Sequence, residues 1–100
     1  MNKAELVERL AQVTGTEKRI IANIVTLTFD VISEHLKAGG EVQIVGFGTF
    51  AARWRKARVG IDIRDYSKQV QMRAVRVPRF KAGTKLKDLL KDTELTPPNP

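Results

Sequence analysis

Ten Lys and Arg side chains crowd into residues 53–81: Arg53, Arg55, Lys56, Arg58, Arg64, Lys68, Arg73, Arg76, Arg79 and Lys81. Only Asp62 and Asp65 oppose them, so this stretch carries +8, while the other 71 residues of the 100-residue chain sum to −1. The same stretch alternates like extended chain rather than like a helix. A cationic ribbon on an otherwise neutral domain is the electrostatic footprint of a protein that grips a polyanion. Duplex DNA, with about one charge per 1.7 Å of axis, is one such polyanion, and each neutralised phosphate releases counterion. Arg outnumbers Lys in the ribbon, which suits multi-donor contact with phosphates and groove acceptors. Strand alternation puts Arg53 and Arg55 on one face, with Trp54, Lys56 and Arg58 on the other. A merely protective edge strand needs only a few charges, not a segment at +8.

Other chemistries are poorly supplied. The chain has no cysteine and one histidine, His35. That excludes a disulfide scaffold and a cysteine nucleophile, and it makes neither a usual zinc site nor a catalytic triad. The Asp62/Asp65 pair sits at a hairpin tip, a poor place for preorganised catalysis, so no enzyme activity and no cofactor are expected. The basic residues lie on strands rather than an amphipathic helix, which argues against a membrane-surface role. The opening residues lack the apolar run of a secretory signal, and no stretch approaches the ~20 apolar residues of a membrane span. A soluble, cytoplasmic protein without a small-molecule substrate is the expectation.

The ribbon needs a body to hold it. Asn2 with Glu5 three residues on forms a capping-box pattern, and Leu6, Val7, Leu10, Ala11 and Val13 follow at helical spacing up to Gly15. Thr16 is read as the cap of a second helix that runs to about Lys37 before Gly39 and Gly40. Its apolar surface, with Ile20, Ile24, Leu27, Val31 and Ile32 widened by Ile21, Val25, Phe29 and Leu36, exceeds the usual ~100° arc. A second chain is expected to cover the surplus, because a domain this small has few other covers. Residues 41–45 read as a strand, Gly46-Phe47-Gly48 as a turn, residues 49–58 as a longer strand and residues 70–77 as its return, with Pro78 ending regular pairing. A short helix follows Gly83 and Thr84 through Leu86, Leu89 and Leu90. Apolar residues thin out along the long hairpin, so it should project from the body. Helix starts offer further phosphate sites: Lys81, Lys85 and Lys87 near the last helix, Lys3 at the first, and Gly46, whose missing side chain would let a phosphate approach the turn. Trp54, at the base of the arm, is read as packing across to the returning strand, with stacking on a flipped base as the alternative.

These residues resemble a known family. Val45-Gly46-Phe47-Gly48-Thr49-Phe50, then Arg53, Arg55, Arg58 and Gly60, is similar to the signature of the bacterial HU and integration-host-factor proteins. So are the opening Met1-Asn2-Lys3-Ala4-Glu5-Leu6 and the later Val77-Pro78-Arg79-Phe80-Lys81-Ala82-Gly83 with Leu86-Lys87-Asp88. The resemblance spans residues 1–91. It implies an α+β, IHF-like DNA-binding fold: two helices, a three-stranded antiparallel sheet with an extended β-ribbon arm (about 53–77) and a short last helix, in an intertwined dimer. It implies that the two arms embrace double-stranded DNA and bend it, in the manner of a histone-like nucleoid protein. Phe47, Phe50 and Phe80 match the family's aromatic core at the subunit interface, which Phe29 would join. A homodimer is the expectation, a heterodimer with a related chain the alternative. The tip departs from the family pattern: Ile61 and Ile63 stand where arginine and the wedging proline are usual, and one residue is inserted before Val77. Isoleucine is itself a minor-groove wedge type, so Ile63, with Arg64 and Lys68 beside it, either enters the groove in the proline's place or packs against protein. Residues 92–100, rich in proline, are expected to be a disordered tail. Little sequence specificity is expected. A sequence-preferring factor in transcription or recombination, and an RNA- or protein-binding module using the same ribbon, remain the alternatives.

Overall fold

The computed structural model describes residues 1–61 and 69–97. Helix α1 spans Lys3–Thr14. Asn2 caps it as expected, its Oδ1 accepting the Glu5 N–H at 2.9 Å. The left-handed Gly15 (φ 70°) ends it and donates its N–H to Ala11 O at 2.9 Å. Helix α2 spans Lys18–Lys37 and starts later than expected, with Glu17 rather than Thr16 at the cap position and no side-chain capping bond. Thr16 stays in the connecting turn, its N–H donated to Thr14 Oγ1 at 3.3 Å. The two helices pack through Val7, Ile21 and Val25, with Leu6, Leu10, Ala11 and Ala22 around them.

Strand β1 is Val42–Ile44, shorter than residues 41–45, and β2 is Gly48–Arg55. Between them Phe47 N–H donates to Ile44 O at 3.0 Å, and Gly46, at φ 82°, supplies the positive dihedral at the third position of that turn. Gly48 is buried for a different reason. A Cβ there would lie 2.6 Å from both the Phe80 ring and Lys81 O. The expected long strands are each broken once. Beyond Arg55 the chain resumes as β3, Arg58–Ile61, which pairs with β4, Gln69–Met72. The return continues as β5, Val75–Ala82, and α3 is Thr84–Lys91. The body sheet has strand order β1-β2-β5, and β3-β4 form a separate two-stranded ribbon.

Pairing runs Arg55↔Val75 at the end of the body sheet and Arg58↔Met72 at the start of the ribbon. The register is the same on both sides of the gap, so body and arm are one hairpin with a two-residue interruption on each strand. Lys56-Ala57 and Arg73-Ala74 fill that gap, and Lys and Ala are poor strand formers. Pro78 does not end the pairing. It sits opposite Ala52 within β5. Since β5 is an edge strand, a residue without an N–H costs no ladder bond on its open side.

The single chain leaves much of its apolar surface uncovered. Its accessible area is 9142 Å², against about 5,700 Å² for a compact monomer of this mass. Its radius of gyration is 19.3 Å, against ~13 Å for a compact 100-residue domain. Among the described residues, Val7, Ile21 and Val25 are the large apolar side chains that are buried, while Ile24, Leu27, Val31, Phe29, Phe47 and Phe80 stay exposed. Helix α2 lies against β1 and β2, and Ile24, Leu27, Val31 and Ile44 line one open depression.

Candidate nucleic-acid interface

The register sorts the sheet's side chains by face. Glu41, Gln43, Thr49, Ala51, Arg53, Arg79, Phe80 and Lys81 line a common depression. Arg55 shares the Arg53 side by strand alternation. This face looks away from α2 and collects four cations, Arg53, Arg55, Arg79 and Lys81, above half-buried Val75 and Val77. The opposite face carries Phe50 and Phe80, then Ala52 and Pro78, then Trp54 and Arg76. Phe80 stacks with Phe50 at 5.0 Å and with Phe47 at 5.3 Å between ring centres, tilted 46° in each pair. Such pairs add about 0.5–1.5 kcal/mol each beyond the area they bury. Thus one sheet holds an apolar interior face and a cationic outer face, and the period-2 alternation of β2 and β5 separates them.

Among the described residues the one ion pair is Lys18–Glu8, at 3.6 Å on the exposed helix surface. The cations of the outer face therefore have no described carboxylate within ion-pair distance. Lys56 and Arg73 lie in the gap between body and ribbon, and Arg58 opens β3 opposite Met72. Ile63, Arg64 and Lys68, with Asp62, Asp65 and Tyr66, lie outside the described residues.

The α3 end forms a second cluster. Gly83 N–H donates to Phe47 O at 2.8 Å, tying the start of α3 to the Gly46–Gly48 turn. Gly46, Gly83, Thr84 and Lys85 line one depression there, and the Lys85 stem passes 3.6 Å from where a Gly46 Cβ would be. Lys87 lies one turn along α3 and is exposed.

Two of the candidate cations are engaged elsewhere. Arg76 reaches across to the carboxyl end of α2, donating to Leu36 O at 3.0 Å and to Lys37 O at 2.7 Å. It gives Lys37 O a donor, adds a second to Leu36 O beside the Gly39 N–H at 3.0 Å, and complements the negative end of the helix dipole. Residues 36 and 76 are forty positions apart, so no local pattern signals this role. Lys3 donates to Thr26 Oγ1, joining α1 to α2. Arg76→Ala is expected to lower stability by about 1–2 kcal/mol per chain, for lost charged hydrogen bonds at an exposed site, while leaving the salt dependence of DNA binding unchanged. Thermal melts and binding isotherms at several salt concentrations read the two effects separately.

Trp54 also departs from expectation. It is 71% exposed. Its cross-strand partner is Arg76, whose head group is turned to α2, and its other same-face neighbours, Ala52 and Pro78, are small.

The family model described as bacterial DNA-binding protein matches residues 1–91. The chain belongs to the bacterial DNA-binding protein family. Similar relatives within it include DNA-binding protein HU-1 of Halalkalibacterium halodurans, 41% identical over 91 residues that make up 91% of this chain and all of that one. The SPbeta prophage-derived DNA-binding protein HU 2 of Bacillus subtilis is 42% identical over 91% of this chain and 98% of its own. Among solved structures, an Anabaena HU–DNA cocrystal structure superposes with a TM-score of 0.86 at 33% identity, covering 93% of this chain and all of the other. An HU mutant from Thermotoga maritima superposes at 0.67, also at 33% identity, covering 90% and 99%. The HU-like architecture of helices, sheet and ribbon seen here is therefore the family's own.

Proposed function

We infer that this HU-family chain is a histone-like architectural protein that binds, wraps and bends duplex DNA with little sequence preference, acting on the nucleoid in the cytoplasm. The observation that carries this reading is the division of the β2–β5 hairpin into an apolar inner face and a cationic outer face of Arg53, Arg55, Arg79 and Lys81. Residues 1–91 form the DNA-binding unit, with the arm at about 53–77 and residues 92–100 as an appended tail. Arg53, Arg55, Arg79 and Lys81 receive phosphates on the body. Lys56, Arg58 and Arg73 extend the contact along the arm, and Ile63, Arg64 and Lys68 complete it at the tip. Gly46, Lys85 and Lys87 form a flank site. The role is architectural rather than catalytic.

Two chains assemble through the uncovered α2 stripe and the Phe47/Phe50/Phe80 cluster, with Phe29 alongside. Burial of that surface follows from the physics: leaving Leu27, Val31 and Phe80 in water forgoes about 1.5–3 kcal/mol for each side chain. A dimer presents two arms and two outer faces to one duplex.

The test is the salt dependence of binding. With six to ten phosphate contacts, the association constant for random duplex DNA is expected to fall ~10³- to 10⁵-fold between 50 and 200 mM salt. A fluorescence-anisotropy titration that gives nearly the same affinity at both concentrations rules the mechanism out.

A further inference from the structure

We propose that the groove between α1 and α2 is a docking site for the acidic tail of another copy of this chain, so that dimers link to one another through their tails.

Ala4, Val7 and Ala22 floor an open apolar depression where the two helices meet, with Lys3, Lys18, Arg19 and Glu8 around it. Three cations against one acid leave that rim positive. Lys18 is paired with Glu8 at 3.6 Å, and Lys3 donates to Thr26 Oγ1. Arg19 has no carboxylate within ion-pair distance among the described residues. At about 100° per residue around α2, Lys18, Arg19 and Ala22 lie on the side of the helix opposite Ile20, Leu27 and Val31. A second chain covering that apolar stripe therefore leaves this groove open.

The tail has the complementary chemistry. Residues 92–100 lie beyond the span of the family match. They carry two carboxylates, Asp92 and Glu94, and no cation. Leu95, next to Glu94, is 82% exposed. Its N–H donates to Thr93 Oγ1 at 3.3 Å, a local turn just past the end of α3. Pro97 follows, and its fixed φ lowers the freedom lost on docking. A leucine side chain suits a floor of alanines and a valine, and the two acids just before it suit the cationic rim.

Two features favour a tail from another copy. Among the described residues α3 makes no substantial contact with α1 or α2 of its own chain, so the tail starts from a helix held apart from the groove. Groove and tail are also different surfaces, and such a heterologous contact runs on from dimer to dimer unless rotation closes it into a ring. One leucine and two exposed ion pairs make a weak link. However, tails and grooves come in twos on a dimer, and short tethers raise the effective concentration to roughly millimolar.

The experiment is sedimentation of the full chain without DNA, at low salt and at roughly millimolar concentration, where such contacts populate. Species heavier than the dimer are expected, and added salt should disperse them. Leu95→Ser is expected to weaken the association about tenfold or more, the factor that burial of a leucine side chain supplies. Ala4→Glu is expected to do the same by placing a carboxylate in the groove. An acid in the first turn of α1 suits the helix dipole, so the fold is kept, and melts of each variant check this. A charge exchange isolates the contact. Arg19→Glu and Glu94→Arg are each expected to sediment as dimers, whereas an equimolar mixture of the two is expected to associate, because one variant's tail then matches the other's groove. A parent chain that forms nothing larger than a dimer overturns the proposal. So does association that survives both Ala4→Glu and Leu95→Ser, which would place the contact elsewhere, or a mixture no heavier than its components. None of these outcomes bears on DNA binding, which the anisotropy titration reads separately.

Discussion

Replacing Arg53, Arg55 and Arg79 together with alanine is expected to weaken duplex binding about 10²-fold at ~0.15 M salt if one outer face is engaged, and about 10⁴-fold if both are. The estimate comes from counterion release. Each phosphate contact contributes a slope of about 0.9 in log K against log salt, so at ~0.15 M each lost contact costs about 0.7 of a decade. Three contacts amount to about two decades per face, and the slope itself should flatten by about 3. These residues lie on the side of the sheet away from α2, clear of the Phe stack, so the fold is expected to survive. Anisotropy titrations across a salt series measure both quantities at once. An unchanged slope would mean that phosphates meet some other part of the molecule. The contrast with Arg76 is the sharpest feature of this prediction. Arg76 has the same charge and lies on the same hairpin, yet its guanidinium is spent on Leu36 and Lys37. Its loss should appear in stability and not in the slope.

Phe80→Ala is expected to cost about 3–5 kcal/mol per chain, the usual range for deleting a buried phenyl ring. Against a typical total stability of ~5–15 kcal/mol, that is enough to unfold much of the population. Phe80 is the hub of the aromatic cluster, stacking on both Phe47 and Phe50. Its ring also fills the space that Gly48 leaves open. In the single chain it remains 45% exposed, so the full cost is reached only when a second chain covers it. Two signatures follow. The parent protein's Tm should rise with chain concentration, as mass action requires for a dimer, and the variant should lose DNA binding together with dimerisation. Chemical denaturation and sedimentation at several concentrations provide the readout. A variant that melts like the parent would remove the Phe cluster from the interface.

Much of this molecule was legible in the chain. The Asn2 cap, the Gly15 stop, the Gly46 turn and the three helices rest on short-range chemistry, a side chain reaching three residues or a dihedral that glycine alone adopts cheaply. The alternation of β2 and β5 likewise carries its own instruction about faces, which is why the sequence alone puts Arg53 and Arg55 on one side. The excess apolar width of α2 signalled a missing partner for the same reason: periodicity alone shows more greasy surface than one small chain can hide.

What the tertiary structure decided was which of several chemically equal residues is free. Arg53, Arg76 and Arg79 look alike in sequence, but only the fold brings the carboxyl end of α2 within reach of Arg76. Pro78 looks like a strand terminator until the strand order puts it on an edge, where its missing N–H breaks nothing. Trp54 looks like a cross-strand packer until Ala52, Pro78 and a diverted Arg76 turn out to be its neighbours. Local pattern determines helix, strand and face, because those depend on contacts within a few residues. Which side chains are left over for a ligand depends on contacts forty residues apart, and these exist only once the chain has folded.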